Sequence, residues 1–252
     1  MVMKLLSIGN SFSVDAQRWL YALAQENGIE LQLGNLYIGG CSLQRHWKNI
    51  ETDAADYTYY VNSAFEGCPM SIAAALALDT WDVITLQQAS HVSGEPQSYI
   101  PYLTDIAAYV RAAQPQAKLY FHQTWAYEVD SDHPCFKTYN NDQGEMYRRL
   151  RDASMMATKL IDAELLPVGT VIQALRRELP EFDYPNGGVS LNRDGFHLSQ
   201  DYGRFAAAAT WLYTLFGGPI TAEGMEQYGF DTALLDRILE TVKQTVDGEK
   251  TN

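Results

Sequence analysis

The stretch LLSIGNSFSVD, residues 5–15, decides the fold. Its first residues are apolar and indicate a buried strand, which ends abruptly at Gly9-Asn10-Ser11 before an apolar pattern of helical spacing begins. A strand that leads directly into a helix is typical of α/β proteins. The turn between them brings a hydroxyl group and several free backbone N–H groups to one point, which makes it a candidate reactive site.

Apolar runs bounded by turn residues recur along the chain, and helix-like stretches lie between most of them. The predicted strands are Lys4–Ile8, Leu31–Ile38, Val83–Leu86, Lys118–His122 and a run near Leu165–Val168. The predicted helices are Val14–Asn27, Tyr99–Ala113, Gln143–Ala163, Thr170–Glu178, Gln200–Phe216 and Thr232–Val246. This alternation predicts an α/β fold with a mostly parallel sheet covered on both faces. A chain of 252 residues with 46% hydrophobic content fits a single domain, residues 1–252.

Three stretches interrupt the alternation, near residues 49–69, 128–142 and 180–193. The first contains DYTYYVNSAFEG, which alternates in places like an exposed hairpin, and the third is rich in Pro, Asn and Gly. All three are long for connections in a compact domain. We therefore expect them to be insertions that form a cleft.

Composition excludes several classes of function. Lysine and arginine total 18 against 31 aspartates and glutamates, and the net charge of −13 would repel nucleic acid and anionic lipid surfaces. No apolar run reaches the roughly 18 residues of a membrane span, and MVMKLLSIG is too short for a signal peptide. We expect a cytoplasmic protein, or a secreted or periplasmic one if a signal peptide has been removed. The cysteines match neither a disulfide framework nor a zinc site.

A reactive serine needs a base, and the best candidate is His197 in the polar loop NRDGFHL, residues 192–198. Asp194 lies three residues earlier, close enough in a tight turn to accept from one imidazole nitrogen and leave the other for Ser11. The structural alternative is that Ser11 or Asn10 only caps a helix, with Asp194 a turn residue and His197 a surface imidazole.

Acyl transfer by a serine also needs an oxyanion hole, formed by donors about 3 Å from the developing charge. Gly39-Gly40 follows the second predicted strand, where glycine lets a backbone N–H approach a substrate. Gln87-Gln88 follows the third, and a side-chain amide there could supply another donor. Each pair could also be structural, a plain turn or solvated amides. Their shared position, at the carboxyl edge of the predicted sheet, favours a site.

These blocks together resemble the SGNH (GDSL-like) hydrolase superfamily, and most closely its DUF4886-type branch of bacterial proteins. The matching blocks are GNSFS after the first strand, a glycine after the second, LQQ at the third and DGFHLS near the C-terminus. The resemblance runs from Lys4 to about Phe216. It implies a flavodoxin-like three-layer α/β/α sandwich, the SGNH hydrolase fold.

Carried over residue by residue, the resemblance implies that Ser11 is the nucleophile and that Asp194 and His197 are the acid and base of the DxxH motif. The backbone N–H groups of Ser11 and Gly40, with Gly39 as the alternative, would bind the oxyanion.

The third block departs from the superfamily, which usually has Gly-x-Asn-Asp where this chain has Leu-Gln-Gln-Ala-Ser at 86–90. The Asn of that motif completes the oxyanion hole. We expect Gln88, with Gln87 as second choice, to replace it from a longer arm. Asn10 also stands where the superfamily often has Asp, which removes a charge beside the serine.

The function implied is an ester hydrolase that removes acetyl or other short acyl groups from a carbohydrate or small acylated molecule. Flat aromatic faces for a sugar ring are expected at Trp47, Tyr57, Tyr59, Tyr60, Trp125 and Tyr127. His122 could contact substrate, with a packed core histidine as its alternative, and His46, His91 and His133 are expected on the surface. No P-loop, G-x-G-x-x-G or H-E-x-x-H motif is present, so no metal or other cofactor is expected.

Two rival functions fit the same residues. The first is a carbohydrate-binding protein that keeps the fold with little catalysis, which the altered third block favours. The second is a lipase or thioesterase that acts on longer acyl chains.

Overall fold

The computed structural model describes residues 2–250, with Glu66 described by its backbone alone. Within these residues one seven-stranded sheet has the order β4-β3-β2-β1-β5-β6-β7. The strands are β1 (Met3–Gly9), β2 (Leu31–Tyr37), β3 (Tyr57–Val61), β4 (Ala64–Met70), β5 (Val83–Leu86), β6 (Lys118–His122) and β7 (Glu164–Leu166). Strands β2, β1, β5, β6 and β7 are parallel, and β3 and β4 pair antiparallel at one edge.

Helices cover both faces of the sheet. They are α1 (Ser11–Gln17), α2 (Leu20–Glu26), α3 (Leu43–Glu51), α4 (Ile72–Ala77), α5 (Tyr102–Ala113), α6 (Gln143–Ile161), α7 (Val168–Glu178), α8 (Tyr202–Phe216) and α9 (Thr232–Lys250). One core packs α1, α2, α7, α8 and α9 against the sheet, and the other packs α3, α4 and α5. Leu5 faces the first core whereas Leu6 and Ile8 face the second, because neighbouring strand residues point to opposite faces. The predicted three-layer α/β/α fold is confirmed.

The strand order places a crevice at the end of β1. Among the parallel strands the order is β2-β1-β5-β6-β7, so the connection from β1 goes to one side and the later connections go to the other. In open α/β sheets such a switch point, beyond the carboxyl ends of the strands, is where ligands bind. Ser11 is the first residue of the helix that follows β1, which places it at this crevice.

The predicted helix Val14–Asn27 is wrong in its extent, because two helices occupy this region. The first helix already begins at Ser11 and ends at Gln17. The N–H of the next residue, Arg18, bonds to the carbonyl of Asp15, three residues earlier instead of the four of an α-helix. The helix α3 was not predicted at all. Its signal was present as an N-cap serine, Ser42, whose hydroxyl accepts the N–H of Arg45.

Most of the stretch at 49–69 is a hairpin of β3 and β4, as its alternation predicts, but this hairpin continues the sheet and is not an insertion that forms a cleft. Strand β3 pairs with β2, so the hairpin extends the sheet. Its turn at Asn62-Ser63 has positive φ at both residues, the backbone typical of tight hairpins. The N–H of Asn62 bonds to the carbonyl of Leu33 near the start of β2, so the turn lies at the opposite edge of the sheet from Ser11.

Among residues 2–250, no helix combines the length and the apolar character needed to cross a bilayer.

At Gly169, helix α7 packs closely against the loop that follows β6. A Cβ at this position would lie 2.0 Å from the carbonyl oxygen of Thr124, a backbone atom that no side-chain rotation can move away. We expect Gly169→Ala to lower the free energy of unfolding by about 1–3 kcal/mol, measured by chemical denaturation.

The matched control is Gly248→Ala in α9, where a new Cβ meets no atom within 4 Å. Alanine favours helix over glycine by up to about 1 kcal/mol, so this variant should be slightly more stable than the wild type. Equal effects of the two substitutions would contradict the packing argument.

Candidate active site

Three side chains from two distant parts of the chain form a continuous hydrogen-bonded series. His197 Nε2 lies 2.9 Å from Ser11 Oγ, and His197 Nδ1 lies 2.8 Å from Asp194 Oδ2. An ionised carboxylate only accepts hydrogen bonds, so the proton of the imidazole is on Nδ1 and Nε2 accepts from the serine hydroxyl. This is the geometry in which an imidazole can take a serine proton.

The carboxylate of Asp194 is held in its charged form. Partial burial raises its pKa, but hydrogen bonds from the side chain and N–H of His197 and from the N–H of Phe196 outweigh burial and keep the pKa below its ordinary value. Asp194 therefore stays ionised at neutral pH and can stabilise an imidazolium at His197.

Asn10 fixes the position of Ser11 at the end of β1. Its Oδ1 accepts the N–H of Phe12 at 3.0 Å, which caps α1, and its Nδ2 donates to the carbonyl of Cys41 at 3.0 Å. The second bond ties the Gly39-Gly40 loop to the start of α1. One buried side chain thus holds together the hydroxyl and the loop expected to supply a backbone donor.

The loop of Asp194 and His197 is a tight turn closed at its base. Asn192 and Leu198 form an antiparallel bridge, and the N–H of Arg193 bonds to the carbonyl of His197 at 2.9 Å. Gly195 has φ of 81°, a left-handed conformation that glycine adopts without strain. This turn brings the carboxylate back onto the imidazole three residues later.

Unpaired backbone N–H groups lie at the positions predicted for oxyanion donors. Within residues 2–250 the N–H groups of Ser11, Gly39 and Gly40 have no hydrogen-bond acceptor. Gly40 has φ of 60°, and both glycines are exposed at the carboxyl edge of the sheet. The structure is compatible with either glycine as donor, so the choice of Gly40 stays a prediction.

The prediction that Gln88 completes the oxyanion hole is wrong. Both of its amide protons are used by Ser98, with Nε2 at 3.0 Å from the carbonyl oxygen and 3.0 Å from Oγ. Its Oε1 accepts the N–H groups of Leu43 and Ala89. Gln88 is therefore a buried structural residue that anchors the start of α3.

Gln87, the second choice, is the residue of this block that reaches the site. Its Nε2 donates to Asn10 Oδ1 at 2.7 Å, and its Oε1 lies 3.1 Å from His122 Nδ1. One amide proton of Gln87 is thus used to support the cap of α1. Its role as an oxyanion donor stays a prediction.

The predicted substrate contacts Trp125 and Tyr127, which follow β6, are wrong, because both are fully buried. His122, the last residue of β6, is also fully buried, which confirms its alternative as a packed core histidine. Trp125 stacks on Phe12 at 4.0 Å, and its Nε1–H donates to the carbonyl of Phe196 at 2.7 Å. Trp125 therefore packs against α1 and also bonds to the turn from Asp194 to His197, called the DGFH turn below. Tyr57 and Tyr59, expected as faces for a sugar, are likewise in the core.

One histidine expected on the surface, His46, is in the core instead, whereas His133 is partly exposed. His46 is buried, with Nδ1 at 2.8 Å from the Tyr57 hydroxyl. His133 lies at the rim of the site, with its ring 4.9 Å from that of Phe196, which in turn is 4.1 Å from the ring of His197. The N–H of Cys135 bonds to His133 Nδ1, so Nε2 carries the proton of the neutral ring.

A polar depression of about 620 Å³ lies beside Asp194. It is lined by residues of the second and third irregular stretches and of the DGFH turn, namely Glu128, Asp130, Ser131, Asp132, Tyr184, Ser190, Asn192, Arg193, Asp194, Gly195 and Phe196. Although acidic groups are numerous here, no three His, Cys, Asp or Glu side chains of the described residues are arranged to hold a metal ion.

Solved structures identify the fold class of the chain. A proposed SGNH hydrolase from Slackia heliotrinireducens is 22% identical, with a TM-score of 0.58 over 85% of this chain and 100% of that one. An acetylxylan esterase, Axe2, from Geobacillus stearothermophilus is 13% identical, with a TM-score of 0.52 over 83% and 92%. At these identities the likeness is one of fold, and the fold is that of the SGNH and GDSL-like hydrolases.

The sequence identifies the family within this class. It matches DUF4886, a domain of unknown function, over residues 4–233, and the chain belongs to that family. A DUF4886 family protein from Bacteroides uniformis ATCC 8492 is 34% identical, with a TM-score of 0.84 over 98% of this chain and 93% of that one. No curated protein matches the sequence.

His122 gives the structure a measurable response to acid. Burial lowers its pKa from 6.5 to about 3, so the unfolded state binds more protons between those two values. The stability it contributes is complete above pH 6.5 and is lost as the pH falls through this window. Asparagine can donate to Gln87 as Nδ1 does but does not titrate.

We expect His122→Asn to reduce proton uptake on unfolding by about one proton at about pH 5. The measurement is the slope of the unfolding free energy against pH for both proteins. Identical slopes would show that His122 is not buried in its neutral form.

Proposed function

We propose that the protein is a serine ester hydrolase that removes acetyl or other short acyl groups from a carbohydrate or a small acylated molecule. The observation that carries this proposal is the series Ser11 Oγ, His197 Nε2, His197 Nδ1 and Asp194 Oδ2, with joining distances of 2.9 and 2.8 Å. The alternative, a simple helix cap, needs only Ser11 or Asn10. It does not explain why His197 and Asp194 lie next to Ser11.

In the proposed reaction, His197 takes the proton of Ser11 as Oγ attacks the ester carbonyl. Asp194 stabilises the imidazolium that forms, and the N–H groups of Ser11 and Gly40 bind the oxyanion. The imidazolium then gives its proton to the leaving alcohol. A water molecule, activated by the same imidazole, attacks the acyl-enzyme and releases the acid.

The surroundings of Asp194 support a polar leaving group. The carboxylates of the depression, such as Asp130 and Asp132, can accept hydrogen bonds from sugar hydroxyls. The rings of Tyr184 and Phe196 in the same wall can pack against the apolar face of a sugar. The negative charge of these carboxylates disfavours phosphorylated or other anionic substrates. The acetylxylan esterase among the structures of similar fold is in keeping with this class of substrate.

One observation favours a second candidate, a carbohydrate-binding protein with little catalysis. Gln88 is committed to Ser98, and Gln87 uses one amide proton on Asn10, so the usual third donor is altered. Losing a side-chain donor from an oxyanion hole costs about 10²–10³ in kcat. A site of this kind would bind the same sugars but turn them over slowly.

The first test is hydrolysis of p-nitrophenyl acetate by the wild type and by Ser11→Ala. We expect the wild type to turn over and the variant to lose at least about 10³-fold in kcat/KM, because no other group replaces the nucleophile. Ser154→Ala is the control, since Ser154 is a buried serine of α6 whose hydroxyl donates to the carbonyl of Leu150 in the same helix. Equal, slow rates in wild type and Ser11→Ala would favour the binding protein, which glycan-array binding would then test.

The second test separates short from long acyl groups. We expect kcat/KM to fall from p-nitrophenyl acetate through butyrate to octanoate, because the depression beside Asp194 is lined mainly by polar and charged groups. Activity that rises beyond butyrate would instead identify a lipase or thioesterase. Release of acetate from acetylated xylooligosaccharides, measured on the same preparations, tests the carbohydrate class directly.

A further inference from the structure

The helix that begins at Ser11 also carries a buried acid, Asp15. The two residues are four apart, so they lie on the same face of α1, one above the other. The side chain of Asp15 is only 1% exposed. A carboxylate at such a depth requires charged partners or strong hydrogen bonds, so the groups around it define its role.

Asp15 accepts from three groups that belong to the C-terminal part of the chain. The N–H of Leu198 donates to Oδ2 at 2.9 Å, and Arg193 Nη1 lies 3.1 Å from both carboxylate oxygens. Arg204, on α8, places Nε at 2.8 Å and Nη2 at 2.7 Å from Oδ1. These partners are separated from Asp15 by 178 to 189 residues.

Two of these partners bracket the acid and base of the site. Arg193 directly precedes Asp194, and Leu198 directly follows His197. Asp15 therefore holds both ends of the DGFH turn, while Arg204 fixes the carboxylate to the rigid helix α8. The nucleophile and its base are connected through a single side chain one helical turn from Ser11.

We propose that Asp15 is a positioning residue that sets the distance between Ser11 Oγ and His197 Nε2. The proposal rests on the proposed function of Ser11 and His197, and it adds a residue that touches neither the substrate nor the reacting atoms. A 1 Å displacement of a reacting group can cost about 10²-fold in rate. A turn held at only one end would allow such displacements of the imidazole.

Asparagine cannot replace Asp15 in this role. The carboxylate of Asp15 makes five contacts with N–H donors, whereas an asparagine amide has one acceptor oxygen. The NH₂ group of the amide would also face guanidinium donors. Arg193 and Arg204, with side chains 28% and 12% exposed, would then repel each other without a compensating charge. We therefore expect the DGFH turn to move away from α1.

The experiment compares Asp15→Asn with Glu249→Gln, which breaks the Arg151–Glu249 ion pair between α6 and α9. Both substitutions change an ion-paired acid to its amide, but only the first touches the DGFH turn. We expect Asp15→Asn to lower kcat for p-nitrophenyl acetate by about 10–100-fold, with KM changed by less than about threefold. Glu249→Gln should keep both constants. All rates are taken where circular dichroism shows the variants folded.

Arg204 provides a second pair of variants if Asp15→Asn does not fold. Arg204→Lys keeps the positive charge beside Asp15 but not both guanidinium contacts, so it should lose less of kcat than Arg204→Gln, which removes the charge as well. The rate at which a fluorophosphonate labels Ser11 should follow the same order, because labelling also needs the base in place. A folded Asp15→Asn that matches the wild type in kcat and labelling rate would overturn the proposal.

A test without substrate separates this proposal from the proposed function. Crystal structures of the wild type and Asp15→Asn give the Ser11 Oγ to His197 Nε2 distance directly. We expect the 2.9 Å hydrogen bond in the wild type and its loss in the variant. If the wild type neither hydrolyses esters nor is labelled, the proposed function fails, and this distance still decides the positioning. An unchanged distance in the variant would overturn the role of Asp15.

Discussion

The side-chain amide of Asn10 is the contact on which the rest of the site depends. It lies where β1 ends, and it accepts from the N–H of Phe12 and from Gln87 while it donates to the carbonyl of Cys41. These partners follow β1, β5 and β2, the three strands that meet at the switch point. Because the amide both accepts and donates, it connects all three loops without a buried charge. An aspartate here would lack the donor that holds Cys41.

Two networks of different character meet at Ser11. Behind it, Asn10, Gln87 and His122 form a neutral series, and burial keeps His122 uncharged by lowering its pKa to about 3. On the side of His197 the network is ionic, with two arginines around Asp15 and a carboxylate at Asp194. The neutral network fixes the hydroxyl where a buried charge would be costly. The ionic one holds a loop that no regular secondary structure supports.

The sequence predicts the parallel strands well because each is a short apolar run between turn residues, and it predicts Ser11, Asp194 and His197 because motif spacing carries them. It favoured Gln88 over Gln87, whereas Gln87 is the one that reaches the site. Successive residues at a strand end point to opposite sides, so one side chain meets Asn10 and the other meets Ser98, and only the register decides which. Asp15 was missed because its partners lie 178 to 189 residues away along the chain.

The choice of glutamine at position 87 follows from its position behind Asn10. One N–H of its amide supports the cap of α1, and Oε1 is engaged by His122. An amide has a second N–H, so a single side chain can support the nucleophile and still donate to an oxyanion. In that case the position of Ser11 and the geometry of the hole are not independent. A shift of Gln87 would disturb both at once, and the buried ring of His122 is the group that limits such a shift.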